Sequence, residues 1–520
     1  MRLDSLLSKR FLALLLCVVL YGLFFLQKTN LMASDLGRHI ANGTVILAEK
    51  KVFSTNLYSL TEAERFTPNH HWLFGVIAAV GERMGGFSAL TLITAFFYTA
   101  SVGLMVYSSA RKHRGLWVLA ASVLVLPSIT ARSEVRPEAF SLFFAGALFL
   151  LMERWIHNKL SSLHMAVAAF LITALWVNIH IFFILSIAIL GSFLLQLVAT
   201  KQFNKLPAYA GVCAAAALGM LVNPLGLTGA LYPFQIFTEY EYPVAENQTL
   251  FFLLDRFPSL HYYYTAGVVI LLGLVLVACL TRYRKMCVNH VALITLTFFF
   301  GLATLKLIRF ENFAALFCIP LFALVFEKTA VEFKKQWRAL TEKDVFVMLG
   351  SLVSLGVAMA VLGSGLFIPF SNGFGLGLYQ GSSQAGEFLR TLTVQGPLFN
   401  NFDAGSYLIY YLYPQHKVFV DNRAEAYSAE HLQLYKKAQE DAATWQQLNE
   451  KYQFGAIVYY RHENTEWGQK FMIDRIRDAK WVPIFVDDFA LILVRDIPEH
   501  AEIIENNKLP ADIFKLPDAQ

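Results

Sequence analysis

Apolar runs dominate this chain. Segments at about 11–27, 87–109, 116–131, 137–153, 163–177, 181–199, 208–222, 264–281, 288–306, 312–327 and 345–369 carry few charges and are separated by polar stretches. A helix needs roughly 20 such residues to cross a bilayer, so the pattern predicts a polytopic α-helical membrane protein with about eleven transmembrane helices. The run from Trp72 to Met84 is too short to cross and reads as an interfacial or re-entrant piece. With that choice Lys9/Arg10, Arg111 to Arg114, Arg154 to Lys159, Lys201/Lys205, Arg282/Arg284/Lys285 and Lys334/Lys335/Arg338 share one side, which positive charge marks as cytoplasmic. The loops 34–86, 131–136, 178–180, 223–263 and 309–312, and everything after Phe370, then lie outside.

From about Ser371 the pattern becomes that of a soluble fold. Periodicity predicts helices at Ala385–Leu392, Ser406–Leu412, Ser428–Glu440 and Thr444–Tyr452. Branched and aromatic content predicts strands at Pro397–Asn401, Lys417–Asp421, Phe454–Tyr460 and in the pair WVPIFVDD and FALILVRD. The expected organisation is a transmembrane domain over 1–370, including the first outer loop 34–86, and an extracytoplasmic α/β domain over 371–520.

Composition sharpens this picture. At 56% hydrophobic and 16% charged, the 520 residues exceed what one soluble core hides. The formal charge of +5 is a matter of loop placement and gives no reason to expect nucleic acid as a partner. All five cysteines lie in or beside apolar runs without a CxxC spacing, so neither disulfides nor a zinc site is indicated. The N-terminal MRLDSLLSKRFLALLLCVVLYGLFFLQK lacks a convincing cleavage site and reads as an uncleaved first helix.

Ionisable groups beside lipid are costly unless they face a partner or a wet cavity. The predicted outer loops hold many of them. In the first loop Asp35 either caps the following helix or acts as a general base, and Arg38 and His39 share its face if that segment is helical. His70 and His71 precede Trp72, and neighbouring side chains diverge on a helix, so one of the two is expected to point at a site. In ARSEVRPE, Arg132 and Arg136 either pair internally with Glu134 and Glu138 or read a phosphate with their guanidinium forks. In WVNIH, Asn178 and His180 sit between two helices, where a tight turn is the competing explanation. Arg309 is a further anion-binding candidate, with snorkelling to the interface as its alternative. In the outer domain, Asp403, Asp421 and Arg423 are expected at strand ends, where ligands often bind α/β layers.

With these residues in view, the chain resembles the GT-C superfamily of integral membrane glycosyltransferases, of the polyprenyl-phosphate-sugar-dependent bacterial type. SDLGRHIANG followed by NHHWLFGV is similar to the first-loop pattern of bacterial members, and FNNFDAGSYLIYYL with VFVDNRAEAY to their C-terminal region. The pattern departs in two places: Leu36 follows Asp35 where several branches carry a second acid, and His70-His71-Trp72 stands where His-Pro-Pro is often found. The resemblance implies an inverting transfer of a hexosyl or pentosyl group from a polyprenyl-phosphate-linked sugar donor to a glycan, lipid or protein acceptor. It places the protein in the bacterial inner membrane, N-terminus cytoplasmic and C-terminal domain outside.

By the same resemblance Asp35 maps onto the first-loop acid, with His70 and His71 positioning the acceptor. Arg132, Arg136 and Arg309 would take the donor phosphate. Arg38, His39, Glu134, Asn178, His180, Asp421 and Arg423 would contact substrate, beneath a folded first-loop cap. No nucleotide cofactor is expected, because the chain has no P-loop or GxGxxG between strand and helix. A divalent metal has no identifiable third ligand. The rival readings are a non-catalytic envelope scaffold and a lipid or glycan transporter; the latter would carry its charges near the bilayer midplane, with paired repeats.

Overall fold

The computed structural model describes residues 3–32, 34–236, 245–336 and 373–514. Helices come in the order α1 (Leu3–Phe25), α2 (Leu36–Glu49), α3 (Trp72–Ala110), α4 (Gly115–Thr130), α5 (Glu138–Ile156), α6 (Ser162–Ile179) and α7 (Leu185–Ala199). Then follow α8 (Leu206–Met220), α9 (Leu227–Ile236), α10 (Leu250–Arg256), α11 (Leu260–Thr281), α12 (Arg284–Cys287), α13 (Val291–Lys306) and α14 (Glu311–Gln336). The C-terminal region adds α15 (Gln384–Arg390), β1 (Leu398–Asn400), α16 (Gly405–Leu412), α17 (Ala429–Glu440), α18 (Ala442–Tyr452) and β2 (Ala456–Tyr460). It ends with α19 (Glu466–Arg477), β3 (Trp481–Val486), β4 (Ala490–Arg495) and α20 (Ala501–Asn507).

The chain divides into two compact units. The first holds 1–27, 91–233 and 243–376; the second holds 28–90, 234–242 and 377–520.

The first unit is a helical bundle built for lipid. Among the described residues, 7 helices of the chain are long and apolar enough to cross a membrane, and two shorter apolar helices lie at Leu14–Phe25 and Gly115–Thr130. This is an integral membrane protein. The predicted run 208–222 forms α8, which is shorter than a full span, and the run 345–369 lies outside the described residues.

On α11, Ile270, Leu274, Val277 and Leu280 are each more than half exposed, an apolar stripe that water would penalise and acyl chains would not. Inside the bundle, backbones approach where side chains are small. A Cβ on Gly219 of α8 would fall 2.2 Å from the Thr173 hydroxyl of α6, whose oxygen in turn donates to the Ala216 carbonyl at 2.8 Å. Parallel rings of Phe300 and Phe317, 5.6 Å apart, join α13 to α14.

The second unit combines the first loop with the C-terminal region. Its sheet has the order β1-β2-β4-β3, with β1 parallel to β2 and the other neighbours antiparallel. Phe399 on β1 packs against Phe419, Trp445, Phe454 and Phe471, which forms an aromatic core on one face of the sheet.

The predicted strand Lys417–Asp421 does not join this sheet. Val418 makes a single parallel bridge to Ser59 instead, and the Asn400 side chain accepts from the Phe419 N–H at 3.0 Å. The alternation of KVFVD therefore reflects burial of Val418, Phe419 and Val420 in an extended segment without a ladder.

Within this unit α2 lies against α16. A Cβ on Gly37 would meet the Ser406 carbonyl at 2.5 Å, and the Ser406 hydroxyl accepts from the Arg38 N–H at 2.9 Å. The helical path of α3 breaks at Gly85 and at Gly86, whose φ of 63° is left-handed. The short run before that break is thus a helical piece distinct from the run after it.

Candidate active site

In the first unit, three arginines from two distant stretches meet around one carboxylate. Pro137 caps α5 where its missing N–H costs nothing, and the turn before it presents Arg132 and Arg136. Arg309 comes from the short turn between α13 and α14, whose Ile308 N–H donates to the Gln248 carbonyl at 3.2 Å. That hydrogen bond draws the 245–248 stretch, with Glu246 and Asn247, to the cluster.

The Glu246 Oε2 atom accepts from Arg132 at 2.7 Å and from Arg136 at 2.8 Å, while Arg309 stands 3.6 Å from Oε1. Glu138 bridges Arg132 at 3.2 Å and Arg309 at 3.6 Å, and Glu134 pairs with Arg136 at 2.6 Å. Asn247 Oδ1 accepts from Arg309 at 3.0 Å, and the Arg309 guanidinium lies 4.7 Å above the Phe182 ring.

Arg309 is therefore turned into the bundle, with its side chain only 14% exposed, and does not snorkel. Internal pairing of Arg132 and Arg136 with Glu138 and Glu134 is real, but two further partners from elsewhere in the chain join it. Burial pushes the Glu246 carboxyl up, yet Arg132, Arg309 and Arg136 outweigh it and hold the group well below the usual range. The Nε atoms of Arg132 and Arg309 are buried with no hydrogen-bond partner among the described residues. The cluster thus holds donors that Glu246 alone does not use.

His180 and Asn178 sit behind it. His180 Nδ1 pairs with the Ser141 hydroxyl at 2.7 Å, which accepts from Trp176 Nε1 at 2.8 Å, and the imidazole rests 4.4 Å from the Phe182 ring. Asn178 donates to the Ala174 and Val222 carbonyls at 2.7 and 2.6 Å, bracing the ends of α6 and α8. Glu311 is engaged elsewhere: its carboxylate meets His261 Nε2 at 3.0 Å and accepts from Thr265 at 2.9 Å.

The second unit gathers the remaining sequence-predicted residues. Asp35 holds the N-cap position of α2, but its carboxylate makes no capping hydrogen bond there; it faces Arg38 at 3.9 Å. One turn of α2 carries Arg38 and His39 inward together. His70 and His71 lie in the turn before α3, not on a helix, so their rings do not diverge: the centroids are 4.0 Å apart, and His71 meets His39 edge-on at 5.3 Å.

Asp421 receives Arg423 through two bonds of 2.8 and 2.7 Å and the Tyr427 hydroxyl at 3.1 Å, and Arg423 also donates to Asn56 at 2.7 Å. Burial raises Asp421, but Arg423 and then Arg38 pull it below its usual range. Arg38 itself is lowered by burial and by Arg423, with Asp35, Asp421 and Glu425 opposing. These mutual effects make Asp35, Arg38, Asp421 and Arg423 one electrostatic neighbourhood. Asp403 belongs to it as well: burial, then Glu463 and Asp35, push its carboxyl up to about 7.

Among the described residues no three metal-ligating side chains gather closely enough to hold an ion.

Sequence reasoning missed Glu246 and Glu463. Both are ordinary acids in polar stretches, and only a partner distant in sequence makes either one conspicuous.

No family model and no curated protein matches this sequence. Solved structures do match its fold. The oligosaccharyltransferase AglB from Archaeoglobus fulgidus, in complex with an inhibitory peptide and a dolichol-phosphate, superposes with a TM-score of 0.54 at 12% identity, over 94% of this chain and 75% of that one. ArnT from Cupriavidus metallidurans bound to undecaprenyl phosphate gives 0.53 at 12% identity, over 93% and 97%. The chain has the GT-C fold. That fold spans the bundle and the C-terminal α/β region alike, as the sequence resemblance implied.

Proposed function

We propose that this protein is a membrane glycosyltransferase that moves a sugar from a polyprenyl-phosphate donor to an envelope acceptor on the non-cytoplasmic side. The observation that carries this reading is the arginine cluster of the first unit. Three guanidinium groups converging on one carboxylate make an anion site, and Glu246 shows where an anionic group is held. Two fold neighbours were solved in complex with a dolichol-phosphate and with undecaprenyl phosphate, which supports a lipid phosphate as the natural occupant.

In this reading Arg132, Arg136 and Arg309 bind the donor phosphate and offset the charge it gains as the bond to the anomeric carbon breaks. Asp35 takes the proton from the acceptor hydroxyl, whose oxygen forms the new bond on the opposite face of the sugar, inverting the anomeric carbon. Arg38 and the raised carboxyl of Asp403 set the charge around Asp35. His70, His71 and His39 position the acceptor, with Asp421 and Arg423 fixing the wall of that neighbourhood.

The test is incubation of the purified protein with a panel of undecaprenyl-phosphate hexoses and pentoses, following release of undecaprenyl phosphate. Wild type consumes at least one donor, and Asp35→Asn abolishes acceptor-dependent transfer. A scaffold or transporter would consume none.

A further inference from the structure

α5 runs from the arginine cluster at Glu138 to Ile156, about 28 Å away at 1.5 Å per residue. Its far end opens into a cavity of about 400 Å³ whose lining includes Trp155, Asn158, Lys159, Ser161, Ser162 and Lys205. Among the described residues no acidic side chain lines it.

Several neighbouring cations at this end of the bundle have carboxylate partners. Lys112 pairs with Glu153, His113 meets Glu327 at 2.7 Å, and Arg282 meets Glu332 at 2.6 Å. Lys159 and Lys205 have none among the described residues. Lys205 is held in place all the same: its ammonium donates to the Ile156 carbonyl at the end of α5 and lies 5.7 Å from the Trp155 ring centre.

Hydroxyls and a helix end complete the wall. Ser162, the first residue of α6, accepts from Trp155 Nε1 at 3.1 Å and keeps its own proton to donate. Ser161 caps the same helix by accepting from the His164 N–H at 3.3 Å, with His164 Nδ1 also 2.6 Å from its hydroxyl, and the N-terminal dipole of the helix favours negative charge. On the rim, burial and then Lys112, Lys159 and Lys205 hold His157 below its usual value, with Glu153 opposing among them.

We propose that this cavity binds a phosphate-bearing anion, the headgroup of an anionic phospholipid. Two lysines without carboxylates, the Ser162 hydroxyl and a helix N-terminus suit a phosphate diester. The apolar side chains beside it favour a lipid over a free ion: Leu163 is 73% exposed and Phe203 54%, both placed to meet acyl chains at the interface. The site lies at the opposite end of α5 from the arginine cluster and does not depend on the transferase reading.

The experiment uses the full-length protein, delipidated and equilibrated with equimolar phosphatidylglycerol and phosphatidylcholine, with retained lipid read by native mass spectrometry. A parallel arm follows the melting temperature with inorganic phosphate alone. Wild type is expected to retain phosphatidylglycerol over phosphatidylcholine by about tenfold, and Lys159→Gln/Lys205→Gln to retain both equally. If the double variant fails to fold, Lys159→Glu, at an exposed position, reads the same preference. Stabilisation by inorganic phosphate that the variant loses, with no lipid preference, would keep the phosphate site and overturn the lipid assignment. Equal retention of both lipids by wild type, with no response to phosphate, would overturn the proposal.

Discussion

Glu246 decides how the arginine cluster is read. Its carboxylate sits where a donor phosphate is proposed to bind, so the two anions compete for the same guanidinium groups. Glu246→Gln removes one competing charge, and affinity for undecaprenyl phosphate, titrated by native mass spectrometry, should rise about tenfold. A fall would mean that Glu246 organises the arginines instead. Asp403 makes a second prediction. Its carboxyl, near 3.9 in an unfolded chain, is raised to about 7 in the fold, so the folded state binds the extra proton between those values. Stability from this group is therefore full at low pH and falls as pH rises through that window, flattening above it. The melting temperature of wild type should drop between about pH 5 and about pH 8 more than that of Asp403→Asn; equal slopes would contradict the burial assigned to Asp403. At this scale the sequence was partly legible. Asp35, Arg132, Arg136 and Arg309 stand out because charges beside apolar runs are conspicuous, whereas Glu246 and Glu463 gain meaning only from partners far away in the chain.

Helix contacts depend on small residues at close approach. A Cβ on Gly43 of α2 would fall 1.9 Å from the Gly75 carbonyl, and neither backbone can yield without moving α2, which carries Arg38 and His39. Gly43→Ala should cost about 1–3 kcal/mol in thermal denaturation. Gly191→Ala on α7, where nothing lies within 4 Å of the added Cβ, should cost nothing measurable. The periodic helices were legible from their apolar spacing, and the strands around Phe454–Tyr460, WVPIFVDD and FALILVRD from branched and aromatic residues, which β2 and β4 bury almost without a break. KVFVD was not, because a buried extended segment has the same alternation as a strand, and its single bridge goes to Ser59, far off in sequence. The helices α19 and α20 were also missed in the sequence, since α19 buries only Gly468 and Phe471 and α20 no residue at all, so neither carries an apolar stripe.

For the whole molecule, the charge pattern assigns a side of the membrane to each loop, and chemical labelling tests it. The five native cysteines are buried or half-buried, so introduced ones report cleanly. Lys436→Cys on α17 should react with an impermeant maleimide in cells whose outer membrane alone is opened. Arg284→Cys on α12 should react only after the inner membrane is breached. The reverse order would invert the proposed topology and put the transfer reaction on the wrong side. The GT-C architecture was legible from the order of apolar runs, a long first loop and a soluble C-terminal region, while the gathering of Arg309 and Glu246 around the ARSEVRPE turn required coordinates. The most direct test of the central claim is the rate at which purified wild type and Arg309→Ala release undecaprenyl phosphate from the preferred donor. The arginine cluster as phosphate site predicts a loss of about 10²-fold or more in the folded variant. Equal rates would contradict it.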